Sequence, residues 1–357
     1  MMKIPLAKPV FDEEMKEAAL SALQNEKLVL GESVFKFEEE FARYIGTRKA
    51  VSISSGTDAL ILALAACGIN EGAPVACPAN SFIASANSVM ANRMSPVFVD
   101  VEQSTGGIDT STLNSIKYRA VLPVHIYGNP CRMKEIVADA KEKNAVVIED
   151  ACQAHGAEYG GRKVGSIGDA GCFSFYPTKN MTVCGDGGMV TTDNEELAKT
   201  IASLRDCGRR TRYEHDKLGY TRRLNTVNAA IGRVQLRRLD SWNEHRRKMA
   251  ALYRKLLPVH LPLAETPGSV PAYYIFPIKT AKRDELWKHL GDNGVEASVH
   301  FPIPIHKQPI YENGTSLPNA ERFADEVLSL PMYAALTSED VKYICECVNG
   351  FLSKITD

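Results

Sequence analysis

From residue 50 onward, short apolar β-forming runs alternate with stretches at helical spacing, and this alternation limits the fold more than any other feature. The β-type runs are Ala50–Ser54, Pro74–Cys77, Val97–Val101, Ala120–Ile126, Ala145–Glu149, Gly171–Phe175 and Met189–Thr192. Helical stretches begin at Thr57, Phe82, Met133 and Glu195. Such a pattern predicts an α/β domain whose mostly parallel sheet is covered by helices. Runs such as AVVIED (145–150) and AVLPVHIYG (120–128) are largely apolar, as strands buried on both faces should be. Two helices precede the alternation, over Asp12–Gln24 and Val34–Tyr44, in an N-terminal helical segment of about residues 1–45.

The 357 residues are too many for one small core and suit a large domain plus a smaller one. A long helix is expected from Val227 to Leu257, with apolar residues broadly on one face, connecting the two. Pro258 ends it and opens a loop with four prolines, so the expected division is a large domain over 1–257 and a small C-terminal α+β domain over 258–357. That second unit shows strand-like YYIFPIK, a helix from Arg283, strand-like ASVHFP and a helix after Thr337.

Charge narrows the partners. Lys plus Arg number 42 against 43 Asp plus Glu, so nothing favours nucleic acid. The basic run His245–Lys248 reads as a solvated helix face. Nine scattered cysteines give neither a disulfide framework nor zinc spacing. The opening MMKIPLAKPVFDEEM lacks the apolar stretch of a signal peptide, and no run is long enough to span a membrane. The cytoplasm is the expected compartment and no metal site is expected, with His125 a packed or hydrogen-bonded residue rather than a ligand.

Three segments carry chemistry. Ser54–Ala59 follows a strand and opens a helix; Gly56 allows close approach, and free N–H groups at the helix start favour an anion, although Ser and Asp there are also ordinary caps. In the second segment, the buried run 146–150 ends in Glu149-Asp150, where α/β folds bind ligands. Asp150 is suited to keep a ring nitrogen protonated, or equally to cap the next turn. The third, FSFYPTKN (173–180), runs into a proline turn with Lys179, followed by Gly185-Asp186-Gly187-Gly188. A lysine held near apolar walls can act as an amine nucleophile, though a loop lysine is usually only solvated. Taken together, an anion cradle, an acid and an amine are the three parts that pyridoxal 5'-phosphate needs.

With these segments in order, the sequence resembles the DegT/DnrJ/EryC1/StrS family of nucleotide-sugar aminotransferases, of fold type I. The resemblance covers nearly the whole chain: SSGTDAL, PANSFIASANSV, PVFVDVE, PVHIYGNP, VIEDACQAHGA, FSFYPTKN with CGDGG, VHFPIPIHKQP and ADEVLSLP. It implies a Schiff base on Lys179, which also shuttles the proton, and a pairing of Asp150 with the pyridine nitrogen. It places Gln153 over the cofactor near the ring oxygen, Phe82 against the ring, and Gly56, Thr57 and Ser174 at the phosphate. It further implies glutamate as amino donor, the pyridoxamine form as intermediate, a nucleotide-linked keto sugar as acceptor, and a homodimer with shared clefts. His300 and His306 match a stretch near the sugar, where a histidine beside prolines is as readily a packing residue.

There are departures. Thr221 stands where the family has an Asn that reaches the partner's phosphate, with Arg222 and Arg223 as possible substitutes. Tyr274 stands where the family has a His, which bears on donor recognition, and Cys207 replaces another His. Two rival readings remain: a sugar dehydratase or eliminase on the same scaffold, which the presence of Lys179 opposes, and a non-catalytic ligand-binding regulator.

Overall fold

A computed structural model describes residues 3–356. Helices α1 (Glu13–Asn25) and α2 (Glu32–Ile45) lead the chain, α1 capped by the Asp12 carboxylate, which accepts from Met15 N. Then follow β1 (Lys49–Ile53), α3 (Gly56–Ala66), β2 (Pro74–Pro78), α4 (Ala84–Ala91), β3 (Ser95–Val99), α5 (Thr110–Asn114), β4 (Ala120–Val121) and α6 (Met133–Glu142). Next come β5 (Val146–Asp150), a small hairpin of β6 (Glu158–Tyr159) and β7 (Arg162–Lys163), β8 (Ala170–Ser174), β9 (Gly188–Thr192) and α7 (Glu195–Leu204). Helix α8 (Thr226–Leu256) starts at the Asn225 cap and stops just before Pro258. The remainder holds β10 (Ser269–Val270), β11 (Phe276–Lys279), α9 (Arg283–Asp292), α10 (Pro318–Glu326), β12 (Val327–Leu330) and α11 (Ser338–Thr356).

Seven strands form one sheet in the order β1-β9-β8-β5-β4-β2-β3. Only β9 runs against the others, so the sheet is mixed and mostly parallel, as the alternation predicts. One face is covered through Leu60, Leu62 and Leu64 of α3 and Ile201 of α7. The C-terminal ends of β1, β2, β5 and β8 therefore open along one edge, where a ligand can reach residues from all four.

Several expectations needed correction. The run Ala120–Ile126 is a strand only to Val121, because Pro123 has no N–H for the ladder, and Ile126–Gly128 turns as a 3-10 helix. YYIFPIK is a strand only from Phe276, and ASVHFP is reduced to a single bridge between Ser298 and Ser329. The His245–Lys248 run is not simply solvated. Arg246 is buried and donates to the carbonyls of Tyr273 (3.2 Å) and Met332 (2.9 Å), because α8 is covered here by the chain after Pro258. At the other end of the chain, Ile4 donates to Gly294 O at 2.9 Å and joins a core with Tyr253, Phe276, Leu328 and Val341. The N-terminal segment is thus strapped onto the C-terminal part. No helix among the described residues is long and apolar enough to cross a membrane.

Candidate active site

At the open sheet edge lies a cavity of about 590 Å³. It is built from segments that leave strand ends, and each contributes a different kind of group.

At the end of β1, Ser55 caps α3 by accepting from Asp58 N at 3.1 Å. The N–H groups of Gly56 and Thr57 precede the first intrahelical bonds and are left to a ligand. Gly56 is required here. A Cβ would lie 2.6 Å from Ser174 Cβ and 2.9 Å from Cys152 Sγ, so β8 presses directly on the helix start. Asp58, in the same first turn, would repel an anion, but Arg222 Nε pairs with it at 3.1 Å and offsets its charge. Ser54 also bonds the Asp58 carboxylate. The cap reading holds for Ser55, while Gly56 and Thr57 line the cavity, where an anion could reach the helix start.

At the end of β5, Asp150 is 5 % exposed. Its Oδ1 accepts from Cys152 N at 3.2 Å, and its Oδ2 accepts from Ser85 Oγ at 2.9 Å. Ser85 in turn touches Ser81 Oγ at 2.9 Å, one turn earlier. Sequence reasoning missed both serines; their spacing within PANSFIASANSV was the only available signal. Gln153 Oε1 accepts from Tyr127 N at 2.8 Å, which fixes the amide and leaves its NH2 end as a donor at the cavity wall.

At the end of β8 the chain passes Ser174 and turns through Pro177 to Lys179, whose N–H donates to Tyr176 O at 2.9 Å. The Lys179 Nζ lies 4.1 Å from the centre of the Tyr274 ring. Phe82 lines the cavity and is 55 % exposed, so its ring is available to a ligand rather than packed in the core. His300 also lines the cavity, its Nδ1 2.9 Å from Ser329 Oγ; burial and then the Lys179 charge push it down to about 4.

The other candidates lie elsewhere. His306 does not line the cavity. The short 3-10 turn Ile305–Lys307 folds it inward, fully buried, where Nε2 meets Glu321 Oε1 at 3.1 Å. Thr221 is exposed beside Cys207 Sγ at 3.4 Å, outside this cavity. Arg222 and Arg223 are engaged within the chain, with Asp58 and with Asp206 (2.7 Å) respectively. His125 is buried against Glu149 at 3.0 Å. Among the described residues no cluster of three His, Cys, Asp or Glu could hold a metal ion.

Under the Lys179 loop sits His155, fully buried between Phe173 and Phe175, and neither ring nitrogen meets a protein hydrogen-bond partner. Burial, helped by the Lys179 charge, pushes it down to about 3. The folded state therefore holds this imidazole neutral while the unfolded chain takes a proton below about pH 6.5. Its contribution is complete above that value and is lost as pH falls toward 3, at about 1.4 kcal/mol per pH unit. His155→Leu is expected to flatten the fall of thermal midpoint between about pH 6.5 and 4.5. An identical fall in variant and parent would show that His155 is not held neutral.

These parts are of the kinds that pyridoxal phosphate needs: the Gly56 cradle could take an anion, Asp150 a ring N–H, Lys179 an aldehyde and Phe82 a flat ring. Fold and site define an α/β transferase of the pyridoxal-phosphate class. A model of the DegT/DnrJ/EryC1/StrS aminotransferase family matches residues 9–349, and the chain belongs to that family. It is 40% identical over 342 residues to the "Pleiotropic regulatory protein" of Geobacillus stearothermophilus, covering 92% of each chain. It is 37% identical over 353 residues to the dTDP-3-amino-3,4,6-trideoxy-alpha-D-glucose transaminase of Streptomyces venezuelae, covering 96% of this chain and 93% of the relative. The crystal structure of S. venezuelae DesV in complex with a ketimine intermediate superimposes with a TM-score of 0.94 at 36% identity, covering 98% of this chain and 99% of DesV. The protein is an enzyme, an aminotransferase whose cofactor is pyridoxal phosphate.

Proposed function

We propose that this enzyme moves an amino group from glutamate to a keto group of a nucleotide-linked sugar, with Lys179 as the Schiff-base lysine. The observation that carries this reading is the convergence on one cavity of the Lys179 amine, the Asp150 carboxylate and the Gly56–Thr57 helix start. The cavity is ample for a cofactor and a sugar together. Transaminases acting on nucleotide-linked sugars among its relatives support the acceptor class.

Bound here, pyridoxal phosphate would supply an aldehyde for the Schiff base and a protonated ring that holds carbanion charge. Asp150, fixed by Ser85, holds the proton on the ring nitrogen. Gly56, Thr57 and Ser174 would hold the phosphate, Gln153 would donate toward the ring oxygen, and Phe82 would cover a ring face. Lys179 Nζ would take the proton from the donor Cα and hand it to the carbon that carried the aldehyde, and in the second half of the cycle would move a proton from that carbon to the sugar carbon that gains the amine. His300 and Tyr274 face the space left for substrate.

Exposed Leu20, Leu23, Leu28, Val29 and Phe35 cluster on and between α1 and α2, which supports a homodimer through this face. In that dimer the exposed Thr221 would serve the neighbour's cavity. Nine free cysteines suit a reducing compartment, and we assign the enzyme to the cytoplasm. We also place the domain boundary at Pro258, with the N-terminal strap crossing it.

The test is a visible spectrum with added pyridoxal phosphate, then borohydride reduction and peptide mapping. The expected result is a Schiff-base band, trapped on Lys179 and bleached by glutamate. No band, or trapping on another lysine, would turn the reading toward a regulator, the role in the name of the Geobacillus relative. A trapped band with sugar oxygen lost and no amine gained would turn it toward elimination.

A further inference from the structure

The Lys179 ammonium has neither an ion pair nor a hydrogen bond among the described residues; its close partner is an aromatic face. The distance of 4.1 Å to the Tyr274 ring centre is well inside cation–π range. That ring is 9 % exposed, so water does little to screen the contact. The same tyrosine is tied to the lysine a second way. Its hydroxyl lies 3.0 Å from Thr178 Oγ1, and Thr178 immediately precedes Lys179. Tyr274 itself is held by its backbone. Its N–H donates to Tyr127 O at 2.9 Å and its carbonyl accepts from Arg246 Nη1 at 3.4 Å. Both neighbouring imidazoles, His155 and His300, are kept neutral and offer the amine no repulsion.

A lysine that performs covalent chemistry is free for part of every cycle. A charged amine on a flexible four-carbon stem then needs a defined place, or it samples many. We infer that Tyr274 is a positioning residue for Lys179: its ring face seats the free ammonium, and its hydroxyl, through Thr178, fixes the loop that carries the lysine. This deepens the proposed function and rests on Lys179 being the Schiff-base lysine. The seat keeps Lys179 in place between covalent steps and restrains its reactivity until the ligand displaces it.

The test uses the full chain without cofactor. Lys179 is labelled with trinitrobenzenesulfonate and quantified by peptide mapping, while thermal midpoints confirm that each variant is folded. Tyr274→Met removes the ring at similar bulk, and labelling at about pH 8 is expected to rise about threefold to tenfold. At about pH 11, where lysine amines are largely neutral, the rates of variant and parent are expected to converge. Tyr274→Phe keeps the ring, so its labelling stays near that of the parent, but amide exchange in residues 176–181 quickens severalfold. Tyr274→Leu serves as a second ringless variant should the Met form not fold. Equal labelling at pH 8, or an excess that persists at pH 11 and so reflects mere access, overturns the ring seat. Unchanged exchange in Tyr274→Phe overturns the hydroxyl tie. None of these readings depends on cofactor, so failure of the parent to trap pyridoxal phosphate on Lys179 would count separately, against the proposed function.

Discussion

Lys179→Ala is expected to lower amino transfer by more than about 10⁴-fold while leaving the fold intact, because on the proposed reading it removes both the covalent amine and the base that moves the Cα proton. Neither neighbouring imidazole is suited to take over the proton. His155 is sealed between Phe173 and Phe175 and pushed down to about 3. His300 is pushed down to about 4 and has Nδ1 engaged with Ser329. Gly56, Thr57, Asp150 and Gln153 are untouched, so the variant should still bind pyridoxal phosphate and show the spectrum of a free aldehyde. The assay is single-turnover conversion of the bound cofactor by glutamate, followed by absorbance. A variant converting at more than about one hundredth of the parent rate would remove Lys179 from the role of base.

The largest effect on stability is expected one residue before Asp150. Glu149 is fully buried, yet both carboxylate oxygens are satisfied. Oε1 accepts from Ile167 N (2.7 Å) and Gly168 N (2.8 Å). Oε2 accepts from Gly165 N at 2.9 Å and faces His125 Nε2 at 3.0 Å. His125 Nδ1 accepts from Cys131 N at 3.0 Å, so the ring carries its proton on Nε2 and donates it to Glu149. Burial alone would push this carboxyl up, but His125 and the backbone donors outweigh it and hold it below the usual range. Glu149→Leu strands three backbone N–H groups and an imidazole in the core. The expected cost is about 4 kcal/mol or more, a large share of a typical folding free energy. Thermal denaturation should show a midpoint lower by about 5 °C or more, and Glu149→Gln, which keeps one acceptor, a smaller drop. A shift under about 2 °C for Glu149→Leu would mean the loop 165–168 finds other partners. Since this pin anchors the end of β5, a weakened variant should also lose cofactor affinity through Asp150.

Much of the scaffold was legible in the sequence, and the reason is local. Strand and helix periodicity and the stop before Pro258 each follow from a few neighbouring residues and what their backbone can adopt. The same holds for the three chemical segments, which were recognisable as types of group though each was ambiguous alone. Only the tertiary structure decided how they are used. Asp150 is oriented by Ser85, 65 positions away, and Thr178 is tied to Tyr274 across 96. His300 and His306 look alike in sequence, beside prolines six residues apart. One lines the cavity; the other is buried against Glu321 because a short turn folds it inward. Arg246 reads as a surface residue until the chain after Pro258 closes over α8. The sequence by itself determined the alternation of strands and helices and the inventory of reactive groups, since those depend on local backbone preference and side-chain type. Burial, hydrogen-bond partners and the seating of Lys179 depend on which distant segments pack together, and that was settled by the closing of the tertiary structure.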